Sequence, residues 1–115
     1  MKLINTSILM TRGDSESLTV KCYQKSGSTR TEVPFSTGDI VTMTVRKDAN
    51  GVIQFQKVVT EFDENGWAII GIDHDDTKDM SFGSYVYDIQ LTRSDGTVTT
   101  LVTISEFKLT EEVTY

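Results

Sequence analysis

Several residue types that support common protein functions are scarce in this chain of 115 residues. Its one cysteine, Cys22, cannot form a disulfide within the chain, which excludes the class of small domains stabilised by disulfides. Its one histidine, His74, excludes a zinc site built from several histidines. No segment approaches the roughly 20 apolar residues of a membrane-spanning helix. We therefore expect the fold to depend on a hydrophobic core alone.

Positive charge is also in short supply, since 11 Lys and Arg residues stand against 17 Asp and Glu residues, for a net charge of −6. A negative protein repels phosphate backbones and anionic lipid surfaces, so we expect no nucleic-acid partner and no membrane partner. Residues 1–6 carry a single positive charge and no sustained apolar stretch. This pattern is not that of a signal peptide and predicts a protein that starts in the cytoplasm.

Alternation of apolar and polar residues, interrupted by turn sequences, is the main pattern that is present. Asn50-Gly51, Asn65-Gly66 and Asp95-Gly96 are typical of tight hairpin turns. The segments around such turns predict about seven or eight short strands and at most one short helical turn near residues 74–80. The sequence therefore predicts an all-β fold, an immunoglobulin-like antiparallel β-sandwich.

A chain of this length fits one domain, so we assign residues 1–115 to a single sandwich that ends in a polar tail, residues 109–115. Residues 67–72 are apolar almost throughout, which is typical of a central strand. The positions expected to face the core are Leu18, Val20, Val41, Met43, Val45, Trp67, Ile69, Tyr85, Tyr87, Ile89 and Leu91. Cys22 continues the alternation of Leu18 and Val20, which indicates a buried small side chain; a reactive thiol is the alternative.

Three local features refine this picture. Residues 25–38 are polar and contain the one proline, Pro34, which predicts a loop. The apolar positions shift phase between Phe55 and Val58, which a β-bulge there would explain. Residues 79–87 look like the corner where an immunoglobulin-like chain crosses between sheets, and there a tyrosine hydroxyl bonds back to the preceding loop.

The most suggestive cluster for a ligand is acidic and comprises Asp73, Asp75, Asp76 and Asp79. Carboxylates that lie close together can hold Ca²⁺, which takes six to eight oxygen ligands. Their spacing is not that of an EF-hand loop, because no glycine or distal glutamate falls in place. The alternative interpretation is a solvated loop that caps a helical turn.

Catalytic motifs and cofactor-binding motifs are missing. A Ser-His-Asp triad would have to use His74, but the chain has no Gly-x-Ser-x-Gly elbow for the nucleophile. It has no glycine-rich phosphate-binding loop of either common spacing. We expect no enzyme activity and no cofactor. The tripeptide Arg12-Gly13-Asp14 matches an adhesive motif, although Gly-Asp between two strands is also what a turn requires.

Exposed strand edges are a more plausible functional surface, because an open sandwich leaves backbone groups unpaired at its edges. Copies of the same chain can use such edges to assemble, by strand addition or sheet stacking. The polar segments 27–37 and 110–115 are further candidates for contact, with simple solvation as the alternative.

The order of several segments resembles that of a known family. These segments are Ile8-Leu9-Met10-Thr11-Arg12-Gly13-Asp14-Ser15-Glu16-Ser17-Leu18, Phe35-Ser36-Thr37-Gly38-Asp39-Ile40-Val41, Asp76-Thr77-Lys78-Asp79-Met80, Phe82-Gly83-Ser84-Tyr85-Val86-Tyr87-Asp88-Ile89-Gln90-Leu91, Asp95-Gly96-Thr97-Val98-Thr99-Thr100-Leu101 and Phe107-Lys108-Leu109-Thr110-Glu111-Glu112-Val113-Thr114. Together they resemble small phage or prophage structural proteins of Firmicutes, and are similar to the immunoglobulin-like N-terminal domain of phage baseplate upper proteins. The shared motifs describe turns and core strands and name no active site.

The resemblance implies a structural protein of a tailed phage or prophage, a baseplate or tail-fibre adaptor that acts through protein–protein contacts. Its expected partners are other virion proteins or further copies of itself as a homo-oligomer, and its expected location is the host cytoplasm and then the phage particle. The alternative function is that of a carbohydrate-binding or adhesin-type surface module. Such modules present aromatic side chains on an exposed face, whereas we expect Trp67 to be buried.

Overall fold

The structure is a computed structural model that describes residues 1–4 and 6–111, and it is nearly all β. The elements are β1 Lys2–Ile4, β2 Ser7–Thr11, β3 Glu16–Val20, β4 Tyr23–Ser26, β5 Thr29–Glu32, β6 Ile40–Arg46, β7 Ile53–Val59, β8 Ala68–Ile72, α1 His74–Thr77, β9 Gly83–Thr92 and β10 Val98–Thr110. None of the described helical residues forms a segment long and apolar enough to cross a membrane.

The strands form three sheets. The large sheet has six strands in the order β1-β2-β10-β9-β6-β7, and two small sheets pair β3 with β8 and β4 with β5. The pairs are antiparallel except for β2 and β10, which run parallel. The predicted immunoglobulin-like sandwich is confirmed. It differs from the prediction in this one parallel pair and in having ten described strands rather than seven or eight.

The core lies between the large sheet and the β3–β8 sheet. Alternate residues of each strand point inward, so β9 buries Tyr85, Tyr87, Ile89 and Leu91 and leaves the residues between them more exposed. Each large apolar side chain removed from water contributes about 1.5–3 kcal/mol. The buried apolar residues are Ile8, Met10, Leu18, Val20, Phe35, Val41, Met43, Val45, Ala68, Ile70, Ile72, Met80, Tyr85, Tyr87, Ile89, Leu91, Phe107 and Leu109.

Two predicted core residues are corrected by the structure. Ile69 is 44% exposed, because β8 buries alternate residues and presents those between them, Ile69 and Gly71, to solvent. Trp67 precedes β8 and is half-buried rather than part of the core cluster. A run of apolar residues therefore marks a strand here without placing that strand at the centre of a sheet. The other nine predicted core residues are buried.

The predicted loop at residues 25–38 is wrong over its first part, and so is the start of the predicted tail. Residues 23–32 form the β4–β5 hairpin, and the side chains of β5 are polar and exposed, so that no apolar alternation marks it as a strand. At the other end, Leu109 is 1% exposed and Thr110 pairs with Thr11. Residues 109 and 110 thus belong to β10, and residues 112–115 lie outside the described part of the chain.

The turn sequences fall where the sequence predicts turns, but they do not all make hairpins. Asn50-Gly51 joins β6 to β7, and Asp95-Gly96 joins β9 to β10. Asn65-Gly66 instead leads from β7 into β8, which belongs to a different sheet. Gly66 has φ of +77° there, and a Cβ on it would lie 2.5 Å from the Cβ of Pro34, so a side chain at this position would clash.

The corner before β9 agrees with the sequence interpretation. The chain leaves β8, passes through α1 and enters β9 of the large sheet, and the Tyr85 hydroxyl donates a hydrogen bond of 2.7 Å to the carbonyl oxygen of Ser81. Tyr85 is 3% exposed, so this bond ties the crossover segment to a side chain of the core.

Replacing Tyr85 with phenylalanine should remove this bond and keep the packed ring. We expect the free energy of unfolding to fall by about 1 kcal/mol, the usual net contribution of such a bond. The measurement is urea denaturation, with Tyr23→Phe as the matched control because Tyr23 is 41% exposed. Equal stability of the Tyr85 variant and the wild type would contradict an anchoring role for the hydroxyl.

Candidate functional site

One long stretch of β10 has a strand on only one side. β10 has thirteen residues and pairs with β9 along its length, whereas β2 pairs only with residues 107–110. Within the described chain, no strand lies beside residues 98–104 on the β2 side. We call residues 98–104 the free edge. Its outward backbone groups are available for hydrogen bonds with another strand.

The composition of the free edge favours pairing. Its sequence is Val-Thr-Thr-Leu-Val-Thr-Ile, in which six of the seven residues are β-branched and none is charged or proline. Natural edges are usually protected by lysine, proline or bulges. Of these devices, the free edge has only irregularities of register, which lie between Thr100 and Val102 and between Val102 and Ser105. Val98 and Ile104, at its two ends, are 58% and 55% exposed.

An apolar pocket opens beneath the free edge, between β10 and β3. Its volume is about 190 Å³. Apolar side chains from both sheets line it, among them Leu18 and Val20 from β3, Ile89 from β9 and Val102 from β10. We call this the seam pocket, because it lies where the large sheet and the β3–β8 sheet fail to meet. Val102, which lies in the free edge, is one of its lining residues.

The N-terminal segment closes the neighbouring part of the same seam. β1 pairs with β2, and the Met1 ammonium forms a 2.9 Å ion pair with Glu16 at the start of β3. The carbonyl oxygen of Thr6 accepts a hydrogen bond from Tyr87, and the Thr6 hydroxyl accepts one of 2.7 Å from Ser105. The sandwich is therefore closed up to Thr6 and open along the free edge.

The acidic cluster forms ion pairs and a helix cap. Asp76 accepts a 2.7 Å bond from the backbone N–H of Asp73, and Lys57 contacts Asp76 at 2.7 Å and Asp73 at 3.5 Å. The hydrogen bond to Asp76 raises the pKa of Lys57 above its usual value. Asp75 pairs with Lys78 at 3.1 Å, and this contact lowers the pKa of Asp75. The interpretation as a capped helical turn is confirmed.

The calcium interpretation of the same four carboxylates gains no support from the geometry. Among residues 1–4 and 6–111, no group of three or more His, Cys, Asp or Glu side chains is placed to hold a metal ion. The position between Asp73 and Asp76 is taken by the ammonium group of Lys57, which supplies the positive charge that a cation would supply.

The Arg12-Gly13-Asp14 turn is held against α1. The Gly13 N–H donates a 2.8 Å bond to the buried Thr77 hydroxyl, and the Gly13 carbonyl oxygen lies 2.5 Å from Nδ1 of His74. The Arg12 guanidinium lies 4.0 Å from the centre of the Phe82 ring. These contacts join the β2–β3 connection to the crossover and occupy both Arg12 and His74. An adhesive role for the tripeptide stays a prediction.

Trp67 and Tyr23 are each in contact with charged side chains. The indole Nε1 donates a hydrogen bond to Glu32 of β5, and the Lys21 ammonium lies 3.9 Å from the centre of the indole ring. Arg30 covers Tyr23 in the same way at 4.0 Å. One face of each ring is thus covered by a cation. The carbohydrate-binding alternative stays a prediction.

A wider groove, of about 720 Å³, lies between residues 35–37 and 60–63. It contains two carboxylates, Glu61 and Asp63. Asp63 accepts bonds of 2.9 Å from the backbone N–H groups of both Asn65 and Trp67, so its carboxylate serves the turn into β8. Cys22 lies elsewhere and packs against the core, but it is only half-buried rather than buried as the alternation predicts.

Comparisons with known proteins give little beyond this geometry. No protein-family model matches the chain, and no curated protein matches it. Among solved structures, the crystal structure of CopC from Methylosinus trichosporium OB3b is similar over 72% of this chain and 86% of that chain, with 17% identical residues and a TM-score of 0.41. A likeness at this level supports no statement about function.

Proposed function

We propose that this chain is a non-enzymatic structural module of a tailed phage or prophage particle, a baseplate or tail-fibre adaptor that acts through protein–protein contacts. The observation that carries the proposal is the free edge, an uncharged and β-branched strand edge above an open apolar pocket. In a protein that remains monomeric, an unprotected edge is a disadvantage, because the edge promotes pairing with other chains.

The segments that resemble phage structural proteins also support the proposal, since they coincide with structural features. Residues 12–14 form the turn held against α1, Asp39 immediately precedes β6 at a buried position, and residues 82–91 contain most of β9. In this proposal the segments maintain a rigid sandwich. Neighbouring virion proteins are contacted by surface features that the sequence motifs do not mark, and the free edge is the main one.

The proposal is tested by quantitative mass spectrometry of phage particles purified from cells that carry the gene for this chain. We expect the chain in purified particles at a fixed ratio to the other virion proteins, as closed symmetry requires of a structural component. Particles from a strain with the gene deleted serve as the control and should lack a defined part of the tail. Absence of the chain from intact particles would overturn the proposal.

A further inference from the structure

We infer that the free edge binds the free edge of a second copy of this chain, so that two large sheets join into one across a two-fold axis. The inference rests on the proposed function, because it names the partner of that same surface. Two antiparallel copies of residues 98–104 would align over about 24 Å, the length of seven strand residues. Each copy would satisfy outward backbone groups of the other wherever the strand stays regular, since the irregularities between residues 100 and 105 interrupt the ladder.

Charge is the first reason to choose a second copy as the partner. The chain has a net charge of −6, so two copies repel each other in general. The free edge is a seven-residue strand segment without charge, and pairing it with itself brings no like charges directly opposite each other. By contrast, β7 contains Lys57, and β3 begins with Glu16 and is followed by Lys21.

The shape of the edge is the second reason. The two irregularities of register add local twist to β10, which makes it a poor match for an arbitrary flat strand. A second copy has the same local twist, so the two edges would coil in the same sense. Val102 faces the same side as Ile89 and lines the seam pocket, so each copy has an apolar side chain beside the contact.

The length of the edge sets the strength of the contact. A seven-residue strand pair is smaller than a standard stable interface, so we expect a dimer that dissociates on dilution. The N-terminal segment need not move, because β1 pairs with β2 and Thr6 is bonded to Ser105, outside residues 98–104, although Leu3 and Thr6 also line the seam pocket. Both copies therefore associate as folded units.

The test is analytical ultracentrifugation of the full chain over a concentration series. The variant is Thr100→Lys, which places a cation on an exposed position of the free edge and should weaken the dimer at least about tenfold because like charges meet across the axis. The change makes the net charge less negative, so loss of the dimer cannot come from general repulsion. Thr31→Lys is the matched control, since it makes the same change on β5, in another sheet.

Amide hydrogen exchange locates the contact independently of mass. In the wild type, exchange at residues 98–104 should slow as concentration rises, and in Thr100→Lys it should not. A wild type that stays monomeric at every concentration would overturn the inference. A dimer that is equally stable in Thr100→Lys and Thr31→Lys would also overturn it, because the contact would then lie on another surface.

The outcomes for this inference and for the proposed function are separable. A chain that is present in phage particles but strictly monomeric in solution keeps the virion role and excludes self-pairing. A chain that forms the predicted dimer but is absent from particles keeps the self-pairing and excludes the virion role.

Discussion

Replacing Phe107 with alanine is expected to lower the free energy of unfolding by about 3–5 kcal/mol. Phe107 has no exposed surface, and its ring meets the rings of Phe55 and Tyr87 edge-on, with centroids 5.9 and 6.4 Å away. It also stands where β10 first pairs with both neighbours, opposite Ile8 and Tyr85. The substitution therefore opens a cavity that three strands line and that a packed interior cannot easily fill.

Thermal denaturation followed by circular dichroism measures this effect, with a fall in Tm of roughly 4 °C for each kcal/mol. Phe82→Ala is the matched control, because Phe82 is 44% exposed and contacts Arg12 through one face of its ring. We expect the control to lose less than about 1 kcal/mol. Similar losses in the two variants would contradict the central position of Phe107.

Replacing Asp39 with alanine is expected to cost about 2–3 kcal/mol, the second-largest effect. Asp39 is 2% exposed and immediately precedes β6. Its Oδ2 accepts bonds of 3.0 Å from the backbone N–H of Ser36 and 2.8 Å from the Arg93 guanidinium. Arg93 is partly exposed and can be rehydrated when its partner is lost, which keeps the cost below that of a fully buried pair.

The pH dependence of stability provides a second measurement on Asp39. Burial raises the pKa of Asp39, but the bonds from Ser36 and Arg93 outweigh it, so that the pKa in the folded protein lies below the ordinary value of 3.8. A lowered pKa contributes stability above 3.8, and this contribution is lost as the pH falls through the folded value.

Urea denaturation between about pH 3 and pH 7 should therefore show a steeper acid loss for the wild type than for Asp39→Asn, which lacks the titrating group. Asp75 and Asp95 also have lowered pKa values, but both proteins contain them. The difference between the two acid profiles therefore reports the contribution of Asp39 alone. Asp79→Ala, at an exposed position, is the control for the loss of a carboxylate. Parallel acid profiles would show that the bonds to Asp39 do not stabilise the folded state.

The sequence predicts those parts of the fold in which one face of a strand is buried. Residues 83–92 are an example, since burial of Tyr85, Tyr87, Ile89 and Leu91 follows directly from alternation. The crossover with its tyrosine hydrogen bond is likewise recognisable from local sequence. In both cases the side chains that determine the structure are neighbours along the chain.

Prediction fails where the structure depends on pairing between distant segments. Ile69 lies in an apolar run, but β8 buries only Ala68, Ile70 and Ile72 and leaves its other face exposed.

The bulge predicted between Phe55 and Val58 lies earlier along β7. The register shift occurs between the pair Val45 and Phe55 and the pair Arg46 and Ile53. Lys57 lies on the same, more buried face of β7 as Phe55 and Val59, and its ammonium group reaches the acidic cluster.

The free edge shows the same limit for the candidate site. Its composition, uncharged and β-branched, is visible in the sequence, and the general prediction of exposed edges is available from the fold class. The sequence does not reveal that β2 covers only residues 107–110 and leaves the remainder of β10 open. That fact depends on contacts between residues about a hundred positions apart, such as Thr110 with Met10.

The parallel pairing of β2 with β10 also determines how the domain would respond to mechanical load. If a force pulls the chain at both ends, it drags β2 backward from Ser7 and β10 forward from Thr110, in opposite directions along one shared ladder. The hydrogen bonds between them are then loaded together in shear, whereas the antiparallel β1 would peel away from β2 one bond at a time. Tension would therefore detach β1 first. The rest of the sandwich would unfold only when the hydrogen bonds between β2 and β10 break together.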